Sequence, residues 1–165
     1  MQDLGPDPVV PEIRLETERL IIRLFRDEDA EVLFAYRNDP LVYKYQGWAV
    51  PFTRENAEEF IHFRSILAPS ITGEWYQPAI ELKSTGEAIG DVAFFRKGQN
   101  SRQATLGYTL AQAYWHQGYA TEAVRAVMGY LFEGLVLHRI IADCDTENLA
   151  SVKVLERLGF RKEAH

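Results

Sequence analysis

The run Tyr114-Trp115-His116-Gln117-Gly118-Tyr119-Ala120-Thr121-Glu122-Ala123 constrains this chain most, because a small-residue turn opens there directly into an amphipathic helix. Ala120, Ala123, Val124, Val127, Met128, Leu131 and Phe132 share one face of a helix running to about Glu133, and Gly134 follows as a C-terminal cap. The first N–H groups of a helix have no intrahelical acceptor, and the helix dipole is positive at that end. Such a junction holds an anion without any basic side chain. Gly118 lets a ligand approach the backbone closely, and Ala120 keeps the next turn narrow.

Around this junction the pattern alternates between strand and helix periods. Leu20, Ile22 and Leu24 alternate with Arg19, Ile21 and Arg23, which predicts a strand over Leu15 to Phe25. Asp27, Glu28 and Asp29 suit a helix start, Ala30, Leu33, Phe34 and Arg37 follow at helical spacing, and Asn38-Asp39-Pro40 supplies a stop. Thr53 caps a second helix bearing Ala57, Phe60, Ile61 and Leu67. Trp75 to Leu82, Ala88 to Arg96 and Gln103 to Leu110 read as strands. After the long helix, Ile140 to Asp145 is a further strand, and Asn148 caps a helix with Val152, Leu155 and Leu158 that Gly159 ends. Pro6, Pro8 and Pro11 make residues 1–12 a flexible tail, which leaves 13–165 as a single domain.

Composition narrows the function classes. The 165 residues are 47% hydrophobic, enough for one domain with a sizeable core. Net charge is −6 with no block of basic residues, which argues against a nucleic-acid partner. Cys144 is the one cysteine, so no intrachain disulfide and no cysteine-rich metal site is expected. No signal-peptide pattern stands at the N-terminus, and no apolar stretch nears the roughly 20 residues of a membrane span, so the expected setting is the cytoplasm without a membrane partner.

The order of elements, with the glycine turn between the fourth strand and the third helix, resembles the GCN5-related N-acetyltransferase (GNAT) superfamily from about Leu15 onward. The signature of that family, Gln/Arg-x-x-Gly-x-Gly/Ala, aligns with Trp115-His116-Gln117-Gly118-Tyr119-Ala120. Trp115 departs from the common Gln or Arg, as it does in the branch that acetylates ribosomal-protein N-termini, where Tyr-Trp-Gly-Lys-Gly-Tyr-Ala-Thr-Glu-Ala is frequent. Leu15-Glu16-Thr17-Glu18-Arg19-Leu20, Ile89-Gly90-Asp91, Leu106-Gly107-Tyr108, His138-Arg139-Ile140 and Asn148-x-x-Ser151 with Leu155-Glu156-x-Leu158-Gly159-Phe160 resemble the same branch. The resemblance implies an α/β (α+β) fold: a central mixed, mostly antiparallel sheet of about six strands flanked by four helices and splayed between strands four and five. It also implies that the last strand or strands are missing after Phe160.

What the resemblance implies chemically is transfer of an acetyl group from acetyl-CoA to a primary amine, without a metal. The amides around Gln117, Gly118, Tyr119, Ala120 and Thr121 are expected to take the pyrophosphate, and Thr109 and Leu110 to line the pantetheine arm with Asn148. Ser151 is the expected acid toward the departing sulfur, since the position of a common family tyrosine holds Leu155. Thr105 stands where relatives carry a glutamate, which leaves Glu81, Asp143 and Asp91 as candidate bases. Such weak basicity suits an α-amine, with a pKa of about 7.7–8.0, better than a lysine-type amine near 10.4. Tyr45, Trp48 and Trp75 are candidates for the acceptor site. A peptide N-terminus is the expected acceptor, with a small amine, or a CoA-binding module without turnover, as the alternatives. An unpaired strand edge predicts a homodimer.

Overall fold

The computed structural model describes residues 11–98 and 101–163, so residues 1–10 of the expected tail lie outside the described residues. Where one strand is expected at the start, two short ones form a hairpin, β1 (Arg14–Glu16) and β2 (Leu20–Arg23). The turn between them has no glycine. Thr17 closes it, with its N–H donating to Leu20 O at 2.9 Å and its Oγ1 accepting from Leu20 N–H at 3.0 Å.

Asp27–Asp29 makes one 3-10 turn ahead of α1 (Ala30–Arg37). The expected stop at Asn38-Asp39-Pro40 instead launches a short helix, α2 (Pro40–Tyr43), because Asp39 accepts from Leu41 N–H at 3.0 Å and proline suits the first helical position. α3 (Arg54–Ser65) begins with the expected cap: Thr53 Oγ1 and Asn56 Oδ1 each accept the other's N–H at 3.0 Å. β3 (Trp75–Tyr76) and β4 (Ala79–Leu82) are separated at Gln77-Pro78, and β5 (Ala88–Phe95) and β6 (Gln103–Leu110) follow. The long helix is α4 (Tyr119–Gly129), prolonged by a π turn over Tyr130–Gly134. β7 (Arg139–Ile141) and α5 (Leu149–Arg157) complete the described elements.

One seven-stranded sheet runs β1-β2-β4-β5-β6-β7, with β3 also paired to β5. Every pairing is antiparallel except β6 with β7. α4 buries Ala123, Val124 and Val127 against Leu20, Ile22, Ile80 and Leu106 on one face. On the other, Leu33 and Tyr36 of α1 and Ala57 and Ile61 of α3 pack with Ala79 and Ala88. Two of the five strands read from the sequence are each broken in two, which gives seven where the resemblance implies about six, and α2 adds a fifth helix.

Two irregularities open the sheet. At Ile80/Glu81 the β4 register passes from Gly90 to Ala88, leaving Ile89 as the extra residue of a β-bulge. Gly90 sits at this bulge because the strands approach so closely that a Cβ there would meet Thr109 O at 2.1 Å. The second irregularity is at the far edge. β7 pairs with β6 only over Gln103, Ala104 and Thr105, while β6 continues along β5 to Leu110 with no strand on its other side among the described residues. The expected strand Ile140 to Asp145 therefore ends at Ile141 for want of a partner, and Asp143 stands on an exposed loop.

Candidate active site

The gap between β6 and β7 is the mouth of a cleft of about 670 Å³. Its floor is Tyr108, Thr109 and Leu110 of β6, one wall is the turn from Tyr114 to Thr121, and the other is Glu147 to Val154 with Arg157. The α2 segment Leu41 to Gln46 covers part of it. Ala111 N–H donates to Ile89 O at 2.9 Å, and antiparallel alternation then turns the main chains of Leu110 and Tyr108 away from β5, toward the gap.

The glycine turn is built for an anion. His116 (φ 60) and Gly118 (φ 81) both take left-handed backbone, an alternation that gathers successive N–H groups into a concavity. Gly118 is also the N-cap of α4, so the free amides of the first turn face the same space. Thr121 Oγ1 is buried there with no hydrogen-bond partner. Lys44, His116, Lys153 and Arg157 line the cleft, against Glu147 as its one carboxylate among the described residues. Donors without acceptors and a basic lining fit a diphosphate.

Arg19 holds this turn in place, a role its position in the sequence does not suggest. Its Nε donates to Glu122 Oε1 at 2.8 Å, its Nη1 donates to Gln117 O at 3.0 Å, and its guanidinium lies 4.2 Å over the Tyr119 ring. Glu122 completes the tie by accepting the Thr17 hydroxyl at 2.6 Å and Arg19 N–H at 3.0 Å. Trp115 pins the other side, donating its indole N–H to Leu110 O at 2.9 Å. Tryptophan at this position thus joins the end of β6 to the turn.

Of the residues expected at the cofactor, Thr109, Leu110, Gly118, Tyr119, Ala120, Thr121 and Asn148 line the cleft. Gln117 does not. Its side chain turns back to donate to Ala113 O at 3.1 Å, so this residue offers only its main chain. Ser151 lies in the cleft, with its N–H capped by Asn148 Oδ1 at 3.3 Å and its Oγ 2.8 Å from the Tyr108 hydroxyl. Burial raises the Tyr108 phenol above its ordinary pKa, and the hydrogen bond with Ser151 opposes this in part.

The expected bases are not brought to the cleft. Glu81, expected as a base, is instead put by strand alternation on the α1 and α3 face, where Arg23 Nε donates to its Oε2 at 2.8 Å and Asp29 takes the same guanidinium. Asp143 is on the solvent side of the β7 loop, outside the cleft lining. Asp91 is 1% exposed and accepts from the Tyr36 hydroxyl and from Gln77 Nε2, the latter at 2.8 Å. Burial raises its pKa against the pull of Arg37, and it too is off the cleft lining.

Of the expected acceptor residues, Tyr45 alone lines the cleft, its hydroxyl 3.4 Å from Glu147 O. Trp48 is drawn away by Arg37, whose carbonyl accepts its indole N–H at 3.0 Å and whose guanidinium lies 4.5 Å over its ring. Trp75 packs on Phe95 at 5.5 Å between ring centroids, on β3. Among the described residues no group of three or more His, Cys, Asp or Glu is placed to hold a metal ion, and no helix is long and apolar enough to cross a membrane.

A model of the acetyltransferase (GNAT) domain matches residues 19–161. The chain belongs to this family. It is an acetyl-transferring enzyme of the N-acetyltransferase kind, and acetyl-CoA is the donor that the family uses. It is 39% identical over 150 residues to an uncharacterized N-acetyltransferase, p20, of Bacillus licheniformis, covering 90% of this chain and 83% of that one. To the [ribosomal protein uS5]-alanine N-acetyltransferase of Escherichia coli it is 30% identical over 171 residues, covering 94% and 82%. A crystal structure of a GNAT-family acetyltransferase from Bacillus anthracis superposes with a TM-score of 0.80 at 31% identity, over 92% of this chain and 86% of that one.

Proposed function

We propose that this acetyltransferase acts on the α-amine of a protein or peptide N-terminus. The observation that carries the reading is the poverty of bases in the cleft. Among the described residues its only carboxylate is Glu147, exposed at the rim, while Glu81, Asp91 and Asp143 lie elsewhere. An α-amine, with a pKa of about 7.7–8.0, is already partly neutral near physiological pH and needs little help; a lysine-type amine near 10.4 is rarely neutral there and needs a strong base. The kinship with a ribosomal-protein alanine acetyltransferase supports the same acceptor.

Acetyl-CoA supplies a thioester carbonyl open to attack by nitrogen. In this reading the amides from Gly118 to Thr121 and the unpartnered Thr121 hydroxyl hold its pyrophosphate, with Lys153 and Arg157 adding charge. Thr109, Leu110 and Asn148 line the pantetheine arm. Main-chain N–H on β6 stabilises charge on the carbonyl oxygen. As the N–C bond forms, the C=O electron pair moves onto oxygen, and when it returns the C–S bond breaks with its electron pair on sulfur, which Ser151 O–H stabilises. The proton lost by nitrogen passes to water in the open cleft. Tyr45 and Glu147 at the rim receive the acceptor chain. No metal takes part.

The free outer edge of β7, at the end of the described sheet, supports pairing with a second copy, and the reading places the enzyme as a homodimer in the cytoplasm. The test is a thiol-release assay with acetyl-CoA against ribosomal-protein N-terminal peptides, polyamines and aminoglycosides, with light scattering for the assembly. Peptides are the expected substrates. Turnover confined to small amines would overturn the acceptor, binding of acetyl-CoA without turnover on any amine would overturn the reading itself, and a monomer would overturn the dimer.

A further inference from the structure

We propose that Tyr108 is a positioning residue for Ser151: its phenol donates to the serine oxygen and so turns the serine O–H into the cleft, toward the sulfur that leaves. The inference rests on the reading of Ser151 given above.

The two residues stand in separate stretches of the sequence, one in Leu106-Gly107-Tyr108 and the other in Asn148-x-x-Ser151, 43 positions apart. The fold brings their oxygens to 2.8 Å, inside the cleft. Their hydrogen bond spans the gap where β7 has left β6, and so joins the floor of the cleft to α5.

Direction matters here, because each hydroxyl has one proton. A phenol, with a pKa near 10, is a far better donor than an aliphatic alcohol and a poorer acceptor. Tyr108 therefore gives its proton to the bond and Ser151 Oγ receives it. The serine N–H is already taken by Asn148, which fixes the backbone that carries the hydroxyl. With its oxygen filled from the β6 side, the serine hydroxyl directs its own proton to the open side. Accepting a hydrogen bond also polarises that O–H, which strengthens it as a donor. Burial keeps Tyr108 protonated through the pH range in which an α-amine becomes neutral, so the arrangement persists while the enzyme works. No proton leaves Tyr108: it remains a neutral phenol, and the charge arriving on sulfur is met by the serine O–H.

Two measurements test this on the full chain. In the first, steady-state acetyl transfer is compared for wild type, S151A, Y108F and the double variant, with CoA binding followed by calorimetry. Each single variant is expected to lower kcat roughly tenfold, the effect of one hydrogen bond to a developing charge, with the KM for acetyl-CoA and the Kd for CoA within about twofold. The double variant should be no slower than S151A, because the two residues act as one device. In the second, the thiol of bound CoA is titrated by its ultraviolet thiolate absorbance, with the signal of Cys144 removed by subtracting the protein alone. Wild type should hold this thiol at a lower pKa than either Y108F or S151A. Wild-type kcat in S151A would sink the reading of Ser151 and this inference with it. A slow S151A beside an unimpaired Y108F, kcat losses that multiply in the double variant, or a bound-thiol pKa indifferent to Y108F would overturn the role of Tyr108 alone.

Discussion

Gly118 shows how much one residue carries at the cofactor turn. Its φ of 81 lies where an L side chain costs about 1–2 kcal/mol, and a Cβ there would stand 3.4 Å from Arg19 Nη2. Gly118→Ala is thus expected to lower stability by about 1–2 kcal/mol and to weaken CoA binding, since the amides at the start of α4 would shift. Calorimetric titration with CoA, alongside thermal unfolding, checks both effects. The places of Gly118 and Thr121 in the cleft lining are legible in the sequence because a turn and a helix start are local features. Arg19, in contact with Gln117, Tyr119 and Glu122, was legible only as part of a family resemblance, since its partners are about a hundred positions away.

Between elements, one carboxylate ties the first hairpin to α4. Burial pushes Glu122 up, but hydrogen bonds from Thr17 and Arg19 outweigh it and hold the carboxyl below its usual range. A depressed acid contributes stability that is complete above its unfolded pKa, near 4.3, and is lost as pH falls through its folded value. Glu122→Gln should therefore flatten the decline of Tm as the pH falls below about 5. At neutral pH it should cost about 1 kcal/mol, given that Arg19 is partly open to solvent, or roughly 2–4 °C in Tm. An unchanged acid limb would show that the tie contributes nothing. The same bonds explain the missed hairpin: its turn is closed by Thr17 and by a residue of α4, so no local turn signal announced it. β7 fell short of its expected length because a strand lasts only as long as a neighbour pairs with it, whereas the strand expected over Trp75 to Leu82 is interrupted beside a continuous β5, at Pro78, which accepts from Val92 N–H at 3.1 Å and has no N–H to return.

For the molecule as a whole, the two faces of the sheet divide the work. One face holds α1 and α3 with the buried group of Arg23, Asp29 and Glu81, and the splayed edge holds the cleft. Glu81→Gln breaks a buried ion pair but leaves Asp29 on Arg23, so a loss near the low end of the range for such breaks, about 3 kcal/mol, is expected. That corresponds to roughly 6–12 °C in Tm. Since Glu81 is remote from the cleft, kcat measured on folded protein well below the transition should stay at the wild-type value. A kcat loss without a Tm loss would restore Glu81 to the reaction.

Periodicity, capping residues and the turn before α4 were decided within a few positions along the chain, and sequence alone determined them: α3 behind Thr53, α5 behind Asn148, the apolar face of α4 and an anion site at its start. Which side chains meet was decided by the bulge at Gly90, by the departure of β7 from β6 and by strand alternation. Those features set whether a carboxylate reaches the cleft or an arginine, and they placed Glu81 on Arg23, Trp48 on Arg37 and Tyr108 on Ser151. A hydrogen bond depends on positions to within a fraction of an ångström, and register, twist and packing fix those only once the whole sheet has closed.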